Sequence, residues 1–345
     1  MVAEFWKLFE EAVADRGVAG ASVVLSPGAA PESRWLPNTD LEPLFLIYSV
    51  TKTFTATCVL QLCEAGVLDI DGSVSHWFPE VHRAEHISLR RLLNHTSGIP
   101  DYGSLPHYHE AVKASPSNPW TFERYANETF RRGLDFEPGV SWCYSNPGYM
   151  LLRAIVEKAS GQTYSQFLTE HIFRPLALSR SFVPESVKDL QHLAPAMSTA
   201  LTPDGSMRDT RIHYHPGWVS HGVVASTPSE IARFFDALFA GRLISSTSLS
   251  AMTELVPVPS HLAPGAPGKP SYGLGLMGDS TTPLGPSWGH VGGGPGYQAS
   301  AQHLAGLGAT VCVMAGIERD FSAQDVAWIM LEELAMRHPE SKGIS

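Results

Sequence analysis

Strand-like patterns lie near both ends of the chain, whereas the segment between them consists of short helical patterns. Ala21–Ser26 near the start, and the apolar runs that follow Tyr272, have the composition of strands. Residues from about 70 to 255 instead carry capped helical periodicities. The two chain ends are therefore predicted to share one sheet. We expect an α/β fold, an antiparallel sheet flanked by helices and built from both chain ends, with an inserted, mostly helical domain.

The length of the chain, 345 residues, corresponds to about two domains of typical size. We assign residues 1–68 and 256–345 to an α/β sandwich domain and residues 69–255 to a helical domain. Because ligand sites are common between domains, we expect the active site in the cleft between these two.

The charge balance argues against two classes of partner. The chain has 24 Lys plus Arg against 34 Asp plus Glu, a formal net charge of -10, so nucleic acid or an anionic membrane would repel it on average. No apolar run approaches the roughly 20 residues of a membrane span. The first helical pattern, Met1–Arg16, is amphipathic and does not have the form of a secretory signal. We therefore expect a cytoplasmic protein, with secretion after removal of a leader as the alternative, and its oligomeric state stays open.

Neither the cysteines nor the histidines predict a metal site. The four cysteines form no C-x-x-C pair and suggest no disulfide framework. His82–His86 has the H-x-x-E-H pattern of some zinc proteases, but that pattern needs a helix and this segment is predicted to be a loop. Two histidine pairs are expected to line the mouth of the cleft together with two tryptophans: His107, His109, His213, His215, Trp120 and Trp218. We predict no metal and no cofactor.

Lys52 is the only charged residue between Glu42 and Glu64, within an otherwise apolar and hydroxyl-rich stretch. A buried ammonium group is costly unless it finds a partner, reaches water or lowers its pKa. Ser49 lies three residues earlier, a spacing that places both side chains on one face of a helix. The pair is either a nucleophile beside its amine, or a helix-capping serine beside a surface lysine.

Tyr144 and Asn146 are predicted to lie in a turn just before a helix that begins near Pro147. A phenol and an amide are thereby presented together, although a turn tyrosine with a capping asparagine is the simpler interpretation. Tyr125 and Asn127 have the same Y-x-N spacing. Those two residues fall inside an amphipathic helical pattern, where Tyr125 is expected to pack, so we favour Tyr144.

The segment Ser287–Tyr297 reads S-W-G-H-V-G-G-G-P-G-Y, a strand-like entry followed by glycines. Glycines let a backbone approach a ligand closely. His290 stands at the start of the glycine run, either as a ligand-binding group or as a structural histidine beside a turn.

Together with the block Leu92–Pro100 (L-L-N-H-T-S-G-I-P), these stretches resemble the serine β-lactamase-like hydrolases. That family includes class C β-lactamases, D,D-carboxypeptidases, D-aminopeptidases and family VIII carboxylesterases. The resemblance covers about Gly20 to Met314. It matches three family motifs, S-x-x-K, Y-x-N and K/H-x-G, in the expected order: Ser49 and Lys52, Tyr144 and Asn146, His290 and Gly292.

The resemblance implies an acyl-enzyme mechanism with Ser49 as the nucleophile. The general base would be either neutral Lys52 or the Tyr144 phenol, and the sequence leaves this choice open. The oxyanion hole would consist of the backbone N–H groups of Ser49 and Gly293. Asn146 would orient Lys52 or the substrate amide. His290 and Gly292 complete the implied substrate-binding residues: Asn146, His290 and Gly292.

His290 also narrows the expected substrate. Dedicated class C β-lactamases carry a lysine at this motif position, and a neutral imidazole holds a carboxylate less well. We therefore expect an esterase or an amidase/D-aminopeptidase that acts on a small ester, amide or short peptide, with weak β-lactamase activity on the side. A D,D-carboxypeptidase (penicillin-binding protein) or a true β-lactamase is the alternative within the family. A Ser-His-Asp hydrolase is a second alternative, and a non-catalytic scaffold is the alternative of another class.

Overall fold

The computed structural model describes residues 2–262 and 269–337. Its main sheet has the strand order β2-β1-β12-β11-β10-β9-β8-β7, and two short two-stranded sheets pair β3 with β6 and β4 with β5. The strands of the described residues are β1 (Ala19–Val24), β2 (Glu32–Leu36), β3 (Phe45–Leu46), β4 (Met197–Ser198), β5 (Arg208–Asp209), β6 (Ala225–Ser226), β7 (Val256–Pro257), β8 (Ser271–Tyr272), β9 (Met277–Asp279), β10 (Ser287–Gly294), β11 (Tyr297–Leu304) and β12 (Ala309–Ala315).

Most of the helices lie between β3 and β7. The α-helices of the described residues are α1 (Val2–Val13), α2 (Thr51–Glu64), α3 (Leu89–Leu93), α4 (Pro106–Ala114), α5 (Phe122–Glu128), α6 (Asn146–Ser160), α7 (Tyr164–Leu168), α8 (Thr210–His213), α9 (Pro228–Phe239), α10 (Ser246–Thr253) and α11 (Ala323–Arg337). Single 3-10 turns occur between them, including Tyr48–Val50 directly before α2. None of the helices in the described part of the chain is long and apolar enough to cross a membrane.

The first and the last strand of the described residues pair with each other. Strand β1 is antiparallel to β12, with Ala19 opposite Ala315 and Val24 opposite Thr310. Both strands are buried along their whole length because helices cover both faces of the sheet. The predicted fold class, an antiparallel sheet built from both chain ends and flanked by helices, is confirmed.

Two apolar layers hold the helices on the sheet. On one face, α1 and α11 pack through residues such as Phe9 and Met330, which are fully buried. On the other face, α9 and α2 meet through Phe54 and Phe234, whose rings stack with centroids 3.7 Å apart. Such stacked aromatic pairs bury large apolar areas and fix the position of α2 relative to the sheet. The division into domains at residues 69 and 255 stays a prediction.

Candidate active site

Ser49 lies in the 3-10 turn that precedes α2, and not inside the helix itself. The residue before it, Tyr48, has a φ of 42°, in the left-handed region that a tyrosine rarely adopts. Such a conformation costs free energy and persists only where the surroundings fix it. Here the Tyr48 hydroxyl donates a 2.7 Å hydrogen bond to the carbonyl of Pro295, in the loop after β10. The turn therefore holds Ser49 at a set position between α2 and β10.

Lys52 is completely buried at the start of α2 and contacts three polar side chains. Its Nζ lies 3.2 Å from Ser49 Oγ, 2.7 Å from Asn146 Oδ1 and 2.8 Å from His221 Nε2. Burial lowers the pKa of Lys52 well below its ordinary value, because water no longer solvates the ammonium group, while the charge of Asp101 opposes this shift. The lysine is therefore an interior amine beside a serine hydroxyl, and not a surface residue.

Tyr144 adjoins the same serine. Burial raises the pKa of its phenol, and a hydrogen bond with the Ser49 side chain acts in the opposite direction. The ring also faces Lys52, whose Nζ lies 4.8 Å from the ring centroid. The other tyrosine with the same spacing, Tyr125, is elsewhere: it is buried and its hydroxyl donates to the carbonyl of Trp218 at 3.0 Å.

Asn146 is the first residue of α6, one position before the predicted start of that helix. Ser145 caps the helix, since its hydroxyl accepts a hydrogen bond from the backbone N–H of Gly148. The Asn146 backbone N–H and side-chain Nδ2 both donate to Asp101, at 2.8 and 3.3 Å. Because Nδ2 faces this carboxylate, Oδ1 faces Lys52.

A histidine of the L-L-N-H-T-S-G block packs against the ring of Tyr144. His95, the histidine of this block, is fully buried, and its Nδ1 accepts a hydrogen bond from the Ser145 backbone N–H at 3.1 Å. Its ring lies against the rings of Tyr144 and Tyr272, with centroids 4.3 and 4.5 Å apart. Burial and the nearby charge of Lys52 lower the pKa of His95, which keeps the ring neutral.

The glycines of β10 allow this strand to approach the Tyr48–Val50 turn, which carries Ser49. A Cβ on Gly292 would overlap the carbonyl oxygen of Ile47 and lie 3.0 Å from the backbone nitrogen of Ser49. A Cβ on Gly294 would overlap the ring of Tyr48. Gly293, in contrast, has open space at this position and lines the cleft beside Ser49. Only glycine fits at the two crowded positions, so the strand places the Gly293 backbone next to the serine.

A family model described as Beta-lactamase matches residues 5–331 of the chain. The chain belongs to the Beta-lactamase family. Three similar proteins illustrate this membership. Penicillin-binding protein 4* of Bacillus subtilis (strain 168) is 32% identical over 265 residues, which are 74% of this chain and 56% of that protein. The chain thus spans about half the length of this curated relative.

Two solved structures resemble this Beta-lactamase family member over nearly the whole chain. A D-stereospecific amidohydrolase from Streptomyces sp. has 29% sequence identity and a TM-score of 0.80, covering 94% of this chain and 96% of that one. The D-amino acid amidase of Ochrobactrum anthropi SV3, complexed with D-phenylalanine, has 25% identity and a TM-score of 0.82, covering 100% and 99%. The resemblance inferred from the sequence motifs is confirmed.

His290 is completely buried in this family member and is not among the residues that line the cleft. Its Nε2 lies 2.8 Å from the Tyr272 hydroxyl and its Nδ1 2.6 Å from the carbonyl of Val291. Burial, together with the charge of Lys52, lowers the pKa of His290 to about 3. The group that faces His290 is the Tyr272 phenol, and the contact between His290 and a substrate stays a prediction.

The cleft has a volume of about 340 Å³ and contains Ser49, Asn146, His221 and Gly293. Its remaining wall is largely aromatic and apolar: Tyr48, Tyr102, Tyr108, Val112, Tyr214, Trp218 and Val219. The aromatic wall is fixed in place because the hydroxyls of Tyr108 and Tyr125 both donate to the Trp218 carbonyl.

The expectation for the cleft mouth is met by two of six residues. His109 and Trp218 line the cleft. The other four do not: Trp120 packs behind Trp218, His107 stacks on Trp120, His213 ends α8, and His215 accepts a hydrogen bond from the Gly217 backbone. His82–His86 ends in a single 3-10 turn. Among the described residues no group of three or more His, Cys, Asp and Glu could hold a metal ion.

Sequence reasoning missed three residues of the site. Asp101 directly follows the L-N-H-T-S-G-I-P block, and an acidic residue there was a signal that could have been used. Tyr272 and His221 belong to no recognised motif. Their roles depend on contacts with His290 and Lys52 that only the folded chain creates.

Proposed function

We propose that the chain is a serine hydrolase that forms an acyl-enzyme on Ser49 with ester or amide substrates. The observation that carries the proposal is the buried amine of Lys52, with Nζ 3.2 Å from Ser49 Oγ. Tyr144 is the third member of this group, since its ring faces the Lys52 amine and its phenol forms a hydrogen bond with the Ser49 side chain. A nucleophile within reach of a base, and a base oriented by further groups, is the arrangement that covalent catalysis requires.

Lys52 is the proposed general base. Burial lowers the pKa of Lys52 and raises that of Tyr144, so the amine is the group that can accept the Ser49 proton near neutral pH. The Ser49 oxygen attacks the carbonyl carbon, its proton passes to Lys52, and the carbonyl π pair moves onto oxygen. Collapse of this intermediate breaks the bond to the leaving group, which receives the proton from Lys52 by way of the neutral Tyr144 phenol. Water then repeats the sequence on the acyl-enzyme.

The backbone N–H groups of Ser49 and Gly293 are the proposed donors to the oxyanion. Support comes from the close approach of β10 to the turn that carries Ser49, which is possible because Gly292 has no side chain. Loss of one such donor commonly costs on the order of 100-fold or more in rate.

The cleft wall favours substrates with an apolar or aromatic acyl group. Tyr108, Trp218 and Val112 offer rings and methyl groups in the cleft that Ser49 also lines, and burial of apolar substrate surface there would contribute about 25 cal/mol per Å². His290 is neutral near pH 7 because burial lowers its pKa to about 3, so it supplies no cation for a β-lactam carboxylate. We therefore favour an esterase or D-amino acid amidase with little β-lactamase activity.

A D,D-carboxypeptidase is the second candidate, and Lys113 is the observation that favours it. This exposed lysine lines the cleft and could pair with a terminal carboxylate of a peptide substrate. Cytoplasmic localisation also stays a prediction.

A substrate panel tests the proposal. Purified chain is assayed with p-nitrophenyl acetate, p-nitrophenyl phenylacetate, D-phenylalanine amide, a D-Ala-D-Ala peptide and nitrocefin, with Ser49→Ala as the control. We expect a burst of p-nitrophenol equal to the enzyme concentration, and faster turnover of the phenylacetyl ester than of the acetyl ester. Preference for the D-Ala-D-Ala peptide would select the carboxypeptidase. Failure of every substrate to react, with a folded chain, would favour a non-catalytic scaffold.

A further inference from the structure

We infer that His221 is a positioning residue that directs the lone pair of the Lys52 amine at the Ser49 hydroxyl. This inference rests on the proposed function, since it concerns the base of that reaction. His221 is 1% exposed, and its Nε2 lies 2.8 Å from Lys52 Nζ.

The position of His221 is fixed by the segment that carries it. Strand β6 follows His221 in the chain and pairs with β3, the strand directly before the turn that carries Ser49. Ile47 donates its backbone N–H to the Val224 carbonyl at 3.0 Å, and the Val224 backbone N–H donates to the Thr51 hydroxyl at 3.0 Å. Both ends of this connection belong to the segment that bears Ser49 and Lys52. The imidazole is therefore held on the same frame as the amine it contacts.

The geometry of a neutral amine explains what this contact does. Such an amine has two N–H donors and one lone pair, arranged tetrahedrally around the nitrogen with the carbon stem. Asn146 Oδ1 accepts one N–H, because the Asp101 carboxylate holds the amide in that orientation. If His221 Nε2 accepts the second N–H, the lone pair is left to face Ser49 Oγ. Without His221 the amine could rotate and lose this alignment.

The same contact serves the ammonium form. After Ser49 gives up its proton, Lys52 has three N–H donors and no lone pair, so all three neighbours must accept. Ser49 Oγ, Asn146 Oδ1 and His221 Nε2 provide three acceptors. An acceptor at Nε2 requires the proton of the imidazole to reside on Nδ1, an atom that has no hydrogen-bond partner among the described residues. Nε2 then accepts from Lys52 in both protonation states.

His221 does not replace Lys52 as the base. Its Nε2 points at Lys52, and burial together with the charge of Lys52 lowers the pKa of His221 well below its ordinary value. A neutral acceptor also differs from a carboxylate, which would hold Lys52 as an ammonium. The titratable and charged groups around the pair are Asp101, Tyr144, Tyr149, His95, His290 and Arg153.

Three substitutions separate positioning from packing. His221→Gln keeps an acceptor that can reach Lys52, His221→Asn keeps the polarity but is too short, and His221→Leu removes the acceptor. His303→Gln is the matched control, because His303 is also buried but pairs with Thr310 on β12. The measurement is kcat and KM for p-nitrophenyl acetate as a function of pH, and the rate of Ser49 labelling by a fluorophosphonate over the same range.

We expect kcat to fall on the order of 10-fold or more in His221→Asn and His221→Leu, with KM little changed. The acidic limb of the kcat/KM profile should move to lower pH by about one unit, because a buried ammonium that lacks an acceptor gives up its proton more readily. His221→Gln should restore most of the rate and the wild-type limb, and His303→Gln should leave both unchanged.

Equal rates and limbs in His221→Gln and His221→Asn would overturn the inference, as would a wild-type profile in folded His221→Leu. If His221→Leu does not fold, the comparison of Gln with Asn decides. A wild-type chain that neither hydrolyses the ester nor reacts with the fluorophosphonate would overturn the proposed function and this inference with it. An active wild type with unaltered His221 variants would overturn this inference alone.

Discussion

The carboxylate of Asp101 accepts hydrogen bonds from both nitrogens of Asn146, the backbone N–H at 2.8 Å and the side-chain Nδ2 at 3.3 Å. This double contact sets which end of the amide faces Lys52. A residue outside the family motifs that we recognised in the sequence thereby orients a residue within one of them. Supporting contacts of this kind are needed to keep reacting groups in a productive geometry.

Asp101→Asn should lower kcat/KM by about 10- to 100-fold, because one carboxylate oxygen becomes an N–H donor that opposes the donors of Asn146. Asp71→Asn is the control, since Asp71 forms an exposed ion pair with Arg90 away from the cleft. The measurement is kcat/KM for p-nitrophenyl acetate. Equal values for the two variants would show that the orientation of Asn146 does not depend on Asp101.

Tyr144→Phe should reduce kcat on the order of 100-fold or more, because it removes the phenol that carries the proton to the leaving group. Tyr125→Phe should cost much less in kcat, since its hydroxyl donates to backbone carbonyls of the cleft wall and takes no part in the proposed proton transfer. Single-turnover rates for both variants make the comparison. A larger loss of kcat in Tyr125→Phe than in Tyr144→Phe would show that we assigned the Y-x-N motif to the wrong tyrosine.

Gly292→Ala and Gly293→Ala should differ although they are neighbours. A methyl group at position 292 meets the backbone of Ile47 and Ser49, so we expect a loss of about 1–3 kcal/mol in the free energy of unfolding and a large loss of activity. A methyl group at 293 meets no atom within 4 Å, so this variant should keep wild-type stability. Urea unfolding tests both variants, and similar midpoints would contradict the close approach of β10 to the turn that carries Ser49.

The stability of the fold should fall in acid partly through His303. Burial lowers the pKa of this histidine to about 4, whereas the unfolded chain binds its proton below about pH 6.5. Between these values the unfolded state holds more protons, so the free energy of unfolding decreases as the pH falls, by up to about 1.4 kcal/mol per pH unit. His303→Gln should lack this contribution. Parallel pH dependences of the two chains, measured by urea unfolding, would contradict the burial of a neutral His303.

Local patterns predicted the fold well where one element determines its own structure. The strand-like run A-T-V-C-V-M-A forms β12 with the bounds 309–315. The helical patterns at 229–239 and 322–337 form α9 and α11 to within one residue at each end. The start of α6 was predicted near Pro147 but lies at Asn146, because the Ser145 hydroxyl caps the helix and includes Asn146 in its first turn. Capping geometry of this kind shifts helix ends by a residue or two.

The motif residues Ser49, Lys52 and Tyr144 could be selected from the sequence because family motifs contain them, and the structure brings them together. His221 could not, because nothing in its neighbouring residues indicates a contact with a lysine 169 positions away. His290 was selected for its place beside the glycines. Its ring contacts Tyr272, it is not among the residues that line the cleft, and its contact with a substrate stays a prediction. Tertiary packing, and not local sequence, determines which of these histidines reaches the cleft.

The proposed acyl-enzyme on Ser49 is tested most directly by the intact mass of the chain after reaction with a fluorophosphonate, followed by peptide mapping. We expect one adduct per chain on Ser49, none on Ser49→Ala, and much slower labelling of Lys52→Met. An adduct on another residue, or a folded wild-type chain that stays unmodified, would overturn the proposed role of Ser49.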